Sequence, residues 1–387
     1  MRRTLLVLVA GGCAVKGEVL RLSGDSGPPV VLHASSVRLS AGQSHACAVS
    51  AGALVCWGAD GDGRLGVAPG SGAGQGPVTV SGGPWVAPAA GGSHSCGLAA
   101  DGRVLCWGGN DLGQLGAGDL VASAAPRPVW LRDIAVELRS NFDHTCALLA
   151  DASLWCWGAN LEGQLGQDDR FPGTDQPAPV QVGANRDWIF VATGQGHTCG
   201  IRSPGALYCW GRNTDYELGQ GSANPEQVRV PIRVGGDDDW VEVTCGQGQT
   251  CARKRDGGIA CWGNMTSGAL AQGDVAARPA PARVPVYADW LGVATNTFHT
   301  CGLRGGGEIW CAGRNSEGQL GSANLLEALP SMQAADPSPG WLEVRTGRFF
   351  TCARKPDDSV WCIGTNSERE LNADASITRS SVMLRAR

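Results

Sequence analysis

Histidine and cysteine are the residues in this chain whose spacing could do chemistry. His45, His94, His144, His197 and His299 each stand two positions ahead of a cysteine, and Gln249 and Phe350 hold the same place in two further segments. Imidazole and thiolate are preferred zinc ligands, so a ring of such residues would suggest a metal. The pattern argues against one. A single position repeated along a chain reads as architecture, and Phe350 would break a symmetric ring. Each histidine is expected to face a glycine, such as Gly158, and to satisfy local backbone groups. No C-x-x-C pair occurs. The run Asp237-Asp238-Asp239 lacks the ligand spacing of a calcium loop and reads as a solvated turn. The segment Asn160 to Gly166 and its relatives follow N-x-x-G-Q-L-G without the G-K-[ST] ending of a phosphate loop, and their glycines suit a tight turn. Neither G-x-S-x-G nor H-E-x-x-H is present, and the carboxylates are scattered. No catalytic residue, metal or cofactor is expected.

The cysteines define the elements that carry these residues. Cys47, Cys96, Cys146, Cys199, Cys251, Cys301 and Cys352 recur about every fifty residues, the period of a supersecondary unit stacked on copies of itself. Each has a second cysteine downstream: Cys56, Cys106, Cys156, Cys209, Cys261, Cys311 and Cys362. In six units the spacing is ten residues, which a three-residue hairpin loop such as Ala100-Asp101-Gly102 turns into direct opposition. In the first unit it is nine, and the two-residue loop Ala51-Gly52 restores the pairing. Loop length and cysteine spacing change together. Opposed residues of a non-hydrogen-bonded pair lie close enough for a disulfide, so one bridge is expected within each hairpin. In that register Trp157 should face Thr145, Trp155 Ala147, Trp310 Gly302, Trp361 Ala353 and Tyr208 Gly200. Such large-over-small pairs build a core between units.

Each unit also offers a strand before the hairpin, such as Trp188 to Val191, and a Pro/Val strand such as Pro179 to Val182. Four short strands per period with Gly-rich turns describe a propeller blade. The expected fold is all-β, a seven-bladed β-propeller of four-stranded blades over residues 28–387. Gly (58) and Pro (21) are abundant, and 43% hydrophobic residues suffice for a core. The net charge of -5, with no basic cluster, disfavours nucleic acid.

Residues 1–27 read as a leader and linker. Met1-Arg2-Arg3 precedes an apolar stretch from Leu5 to Ala10, too short to span a bilayer, and Cys13 follows Gly11-Gly12 as a candidate lipid attachment point. Sixteen cysteines also point to an oxidising compartment. The protein is therefore expected to be exported, in a bacterial cell envelope as a lipoprotein or outside the cell. Cys245 falls outside the hairpin pattern, as a buried thiol or a partner of Cys13.

The G-x-x-H-T-C-A-L, C-W-G-x-N and G-Q-L-G segments resemble the regulator of chromosome condensation repeat, in a cysteine-rich form of bacterial exported proteins, over about residues 28–385. The resemblance implies the propeller. The family includes a nuclear exchange factor for a small GTPase, a plant photoreceptor and a secreted β-lactamase inhibitory protein, and the last is similar in style. No contact residues transfer from it. The expected role is a monomeric binding scaffold for a protein or cell-envelope ligand, touching membrane only through a lipid anchor. A hydrolase with a carboxylate site on the loop face and a structural envelope component are the alternatives. The ligand face is expected among the most variable loops: Val67–Gly83, Ala117–Arg127, Gln167–Gln176, Gln220–Val228 and Ser322–Ser338. The ring is expected to close through one blade shared by both ends, completed by Pro29 to Leu32 or by Ser381 to Leu384.

Overall fold

The computed structural model describes residues 37–69, 76–168, 173–372, 374 and 376–386, together with two short strands, Val19–Leu20 and Leu32–His33, which pair with each other. The leader, Cys13 and most of the expected Pro29 to Leu32 strand lie outside the described residues.

Seven four-stranded antiparallel sheets follow one another, each built from consecutive strands. Their innermost strands are Leu39–Ala41, Trp85–Ala90, Ala135–Asn141, Trp188–Thr193, Trp240–Cys245, Trp290–Thr295 and Glu343–Thr346. These inner strands touch one another around a common axis, with blade 7 meeting blade 1. That arrangement is a closed seven-bladed propeller.

The cysteine hairpin forms the second and third strands of every blade, in the register expected from the sequence. Cys146 opposes Cys156, Thr145 opposes Trp157 and Ala147 opposes Trp155. Gly200 opposes Tyr208, Gly302 opposes Trp310 and Ala353 opposes Trp361. All seven pairs are bonded, with Cα separations of 4.0–4.1 Å: Cys47–Cys56, Cys96–Cys106, Cys146–Cys156, Cys199–Cys209, Cys251–Cys261, Cys301–Cys311 and Cys352–Cys362. The turns differ as the spacing required. Ala51 and Gly52 both take positive φ in the two-residue loop, whereas Gly102 alone does so in the three-residue loop. The third strand ends on a glycine opposite the histidine. At Gly158 φ is +101°, and a Cβ would stand 2.5 Å from the Asp143 carbonyl. No other residue fits there.

Packing between blades buries the tryptophans. Trp57, Trp85, Trp107, Trp157, Trp188, Trp210, Trp262 and Trp290 are almost wholly removed from solvent, alongside the disulfides of adjoining blades. An aromatic binding platform on these residues is thereby excluded.

Ring closure differs from the expectation. The C-terminal strand Arg379–Arg385 does complete a blade, pairing with Val360–Thr365, but the other strands of that blade directly precede it. Blade 1 likewise uses its own four strands, through Val78–Val80. Among the described residues no blade is shared between the two ends. The ring closes by side-chain and loop contacts across the seam instead, because blade 1 already holds four strands and has no vacant edge position.

Candidate functional site

Two ring-shaped surfaces surround the axis. On one, the short loop from first to second strand and the long loop from third to outer strand emerge together; this is the loop face. The opposite face carries the hairpin turns and the linkers between blades.

The histidines project into neither. Each reaches sideways into the next blade: His45 Nε2 meets Ser95 Oγ at 2.8 Å, His94 meets Thr145 at 2.9 Å, His144 meets Thr198 at 2.8 Å, His197 meets Thr250 at 2.9 Å, and His299 meets Thr351 at 2.8 Å. The local backbone bond expected from the sequence is thus replaced by a bond between blades. In four of these pairs the hydroxyl donates its proton to a carbonyl of the preceding blade: Ser95 to Arg64, Thr198 to Gln164, Thr250 to Glu217 and Thr351 to Gln319. The hydroxyl oxygen must then accept, so Nε2 carries the imidazole proton. Nδ1 is bare, buried and without a hydrogen-bond partner. A second proton would have nothing to bond, and burial holds His94, His144, His197 and His299 down to about 3, with His45 also well below the ordinary value.

The N-x-x-G-Q-L-G turns are the other half of this device. Their carbonyls accept from the next blade's tryptophan: Trp107 to Arg64, Trp157 to Gln114, Trp210 to Gln164, Trp262 to Glu217 and, across the closing seam, Trp57 to Glu370 at 2.8 Å. The turn asparagine accepts from the Leu165 amide in blade 3 and donates into the long loop behind it. The structural reading of these turns therefore holds.

The axial channel encloses a cavity of about 100 Å³, lined by the inner strands of all seven blades. Its charges are mutually engaged. Arg139 pairs with Glu137 at 2.8 Å, Arg253 with Glu242 at 2.9 Å, and Glu343 receives both Arg345 at 3.0 Å and Arg354 at 3.2 Å. Glu343 also accepts from the backbone amides of Arg38 and Leu39, bridging blade 7 to blade 1. Burial raises Glu137 above the usual carboxylate range despite Arg139. At the loop face the channel is crossed by amides. Gln43 donates to Asn141 at 3.4 Å and to Asn296 at 2.9 Å, Asn141 reaches the Cys245 carbonyl, and Asn296 reaches that of Thr346. The first three of these bonds tie non-adjacent blades across the axis, and the fourth joins blade 6 to blade 7.

Around that mouth Phe298 and Phe349 stack at 5.2 Å, with Arg314 against both rings and Arg348 against Phe349. Further out, the third-to-outer loops expose Leu120, Val121, Leu161 (71% exposed), Val275, Leu325 and Leu326. Four of these six lie in loops nominated from the sequence. Residues 70–75 and 169–172 of two other nominated loops are outside the described residues. The sequence reading missed Phe298, Phe349, Arg314 and Arg348; for the two rings the signal was a phenylalanine just before the second strand of blades 6 and 7, where the other blades carry serine, aspartate or glycine. It also missed Trp130, which stands 79% exposed on the hairpin face.

Asp237 and Asp239 are neutralised by Lys254, and Asp238 by Arg233, so the acidic run is an ion-paired turn. Cys245 is free and buried. His197, Cys199 and Cys245 come within 4.8 Å of one another, but the Cys199 sulfur is already bonded to Cys209 and is not a free ligand.

Repeat models confirm what the blades suggest. The model for the regulator of chromosome condensation (RCC1) repeat matches residues 151–201 and 204–253, and a second model of the same repeat matches 89–114, 136–164, 188–217 and 292–319. The chain belongs to the RCC1 repeat family. RCC1 relatives align over single stretches. The X-linked retinitis pigmentosa GTPase regulator homolog of Caenorhabditis elegans is 38% identical over 84 residues, 21% of this chain and 6% of that protein. The ultraviolet-B receptor UVR8 of Arabidopsis thaliana is 32% identical over 84 residues, 22% of this chain and 19% of the receptor. The chain thus matches only a small part of these relatives' length. Among solved structures, Prp20p of Saccharomyces cerevisiae superposes with a TM-score of 0.75 at 17% identity, covering 92% of this chain and 87% of that one. Human WBSCR16 gives 0.74 at 20% identity, covering 87% and 94%. At such identities the likeness establishes the propeller fold and nothing about its ligands.

Proposed function

We propose that this protein is an exported, monomeric binding scaffold whose ligand, a protein or a cell-envelope polymer, docks on the loop face. The observation that carries the reading is the placement of exposed side chains. Exposed aliphatic residues crown the third-to-outer loops, and the half-buried Phe298–Phe349 pair, with Arg314 and the exposed Arg348, stands beside the channel mouth. A disulfide-clamped ring holds those loops with little entropy to lose on binding. Aromatic and arginine anchors are the side chains that dominate protein interfaces. The solved Prp20p structure is described with binding to Gsp1p and histones, which suits an interaction role for this fold. The inner-strand carboxylates Glu137, Glu242 and Glu343 are all held in ion pairs, which favours binding over the hydrolase alternative. Export is supported by seven cysteine pairs, together with the reading of residues 1–27 as a leader and of Cys13 as its lipid attachment point.

The test is capture from the native cell envelope with the oxidised protein, beside a Phe298→Ala, Arg348→Ala, Phe349→Ala variant and a Trp130→Ala variant. The captured ligand should be lost with the triple variant and kept with Trp130→Ala. The second reading, docking on the hairpin face, rests on Trp130 and predicts the reverse. Equal capture by all three proteins would remove both. Intact mass of the mature native protein reports the leader, a lipid on Cys13 and the oxidation state in one measurement.

A further inference from the structure

Cys245 is the one cysteine described without a disulfide, and it is not isolated. It ends the innermost strand of blade 5, against the side of blade 4. Its Sγ lies 3.7 Å from the Ala192 carbonyl, and Ala192 is the strand partner of Cys199. The sulfurs of Cys245 and Cys199 are within 4.8 Å of each other. At the equivalent position the other blades carry Ala41, Ala90, Ser140, Thr193, Thr295 and Thr346, so among the described residues only the seam between blades 4 and 5 holds a third cysteine sulfur. A disulfide needs a sulfur separation near 2.05 Å, so the exchange requires the two short side chains to rotate toward each other from this distance.

We propose that Cys199, Cys209 and Cys245 form a thiol–disulfide exchange site whose alternative product is a Cys199–Cys245 bond stapling blade 4 to blade 5. The Cys245 thiol loses its proton and its thiolate attacks Cys199 Sγ. The Cys199–Sγ to Cys245–Sγ bond forms, the Cys199–Cys209 bond breaks, and Cys209 leaves as a thiolate that takes up a proton. The number of disulfides is unchanged, so no oxidant or reductant is consumed. The exchange swaps a bridge within a hairpin for one between blades. Burial pushes the Cys245 thiol up, which keeps it protonated and the exchange dormant in the closed ring at neutral pH. Opening of the blade 4–5 seam, or alkaline conditions, releases it.

The test begins with Cys209→Ser in the full chain, oxidised with glutathione disulfide and mapped by non-reducing digestion. Cys199 and Cys245 should be recovered in one linked fragment and neither should be alkylated after denaturation. In the matched variant Cys156→Ser, Cys146 faces no third sulfur and should stay alkylatable or carry glutathione. Free or glutathionylated Cys199 in the Cys209→Ser protein, with Cys245 still a thiol, would overturn the proposal. Should that variant fail to fold, the native chain is held in alkaline buffer with iodoacetamide. The label should then appear on Cys209 together with a Cys199–Cys245 fragment, and both should vanish in Cys245→Ala. Label on Cys245 alone would refute the exchange.

Discussion

The buried histidines act as neutral donors, and their replacements show what the position requires. In blade 7 Phe350 stands where five blades have histidine and blade 5 has Gln249, and in blade 1 Ala46 stands where the others have serine or threonine; Phe350 and Ala46 are buried in one apolar cluster at the closing seam. The hydrogen-bonded pair has been exchanged for an apolar pair as a unit. A double-mutant cycle tests this. His144→Phe alone should cost about 1–3 kcal/mol in urea unfolding, because the Thr198 oxygen loses its donor in a closed space. Thr198→Ala added to it should recover at least about 0.5 kcal/mol relative to additivity, since Trp210 still serves the Gln164 carbonyl. Acid stability follows from the same residues. Burial holds His94, His144, His197 and His299 down to about 3 in the folded chain, against about 6.5 when unfolded, so between those values the unfolded chain binds more protons and stability falls as pH is lowered. Glu370, raised to about 7 by burial, opposes this between about 4.5 and 7, because its folded form keeps a proton the unfolded chain has lost. Urea midpoints should therefore decline gently from pH 7 to about 4.5 and steeply below it, where only the histidines and ion-paired carboxylates still contribute. A flat profile down to about pH 3.5 would contradict the assignment.

At the scale of the element, the blade is a short hairpin that needs fastening on its own account. Each bridge closes about eleven residues, and replacing the blade 2 pair by Cys96→Ala, Cys106→Ala should lower stability by about 2–3 kcal/mol, read by chemical denaturation. The inner strand depends on glycine for a different reason. At Gly246 a Cβ would lie 2.0 Å from the Asn296 carbonyl of the next blade, so the loops around the mouth interlock through bare backbone. Blades 3 and 6 break that rule with Asn141 and Asn296, and those two side chains are the ones that bridge the axis.

Across the whole molecule, the closing seam is non-covalent and shares no strand. It rests on Trp57 donating to the Glu370 carbonyl, Glu343 accepting from Arg38 and Leu39, and the Phe350–Ala46 contact. Glu343→Ala should be the most damaging single change at the seam, at about 2–3 kcal/mol, because the Arg38 and Leu39 amides lose their acceptor, Arg345 loses its carboxylate and Arg354 keeps only Asp358. Trp57→Phe should cost about 1 kcal/mol by comparison. Both are read from thermal or urea transitions. Broadening of the Glu343→Ala transition into separate steps would show that closure is what makes seven blades unfold together.

Local chemistry was readable in the chain because it is local. A hairpin's register depends on its own loop length, so Ala51-Gly52 and Ala100-Asp101-Gly102 sufficed to place fourteen cysteines opposite one another. A fifty-residue period then implied the blade, and seven periods the ring. What the histidines bond to was not readable, since Thr198 lies some fifty positions from His144 and meets it only when blades stack. The same holds for the seam. Two plausible terminal strands competed for one place on sequence alone, and only the assembled ring shows that blade 1 has no vacancy. Contacts set by chain connectivity follow from the order of residues; contacts set by rotation about a shared axis exist only once every blade is in place.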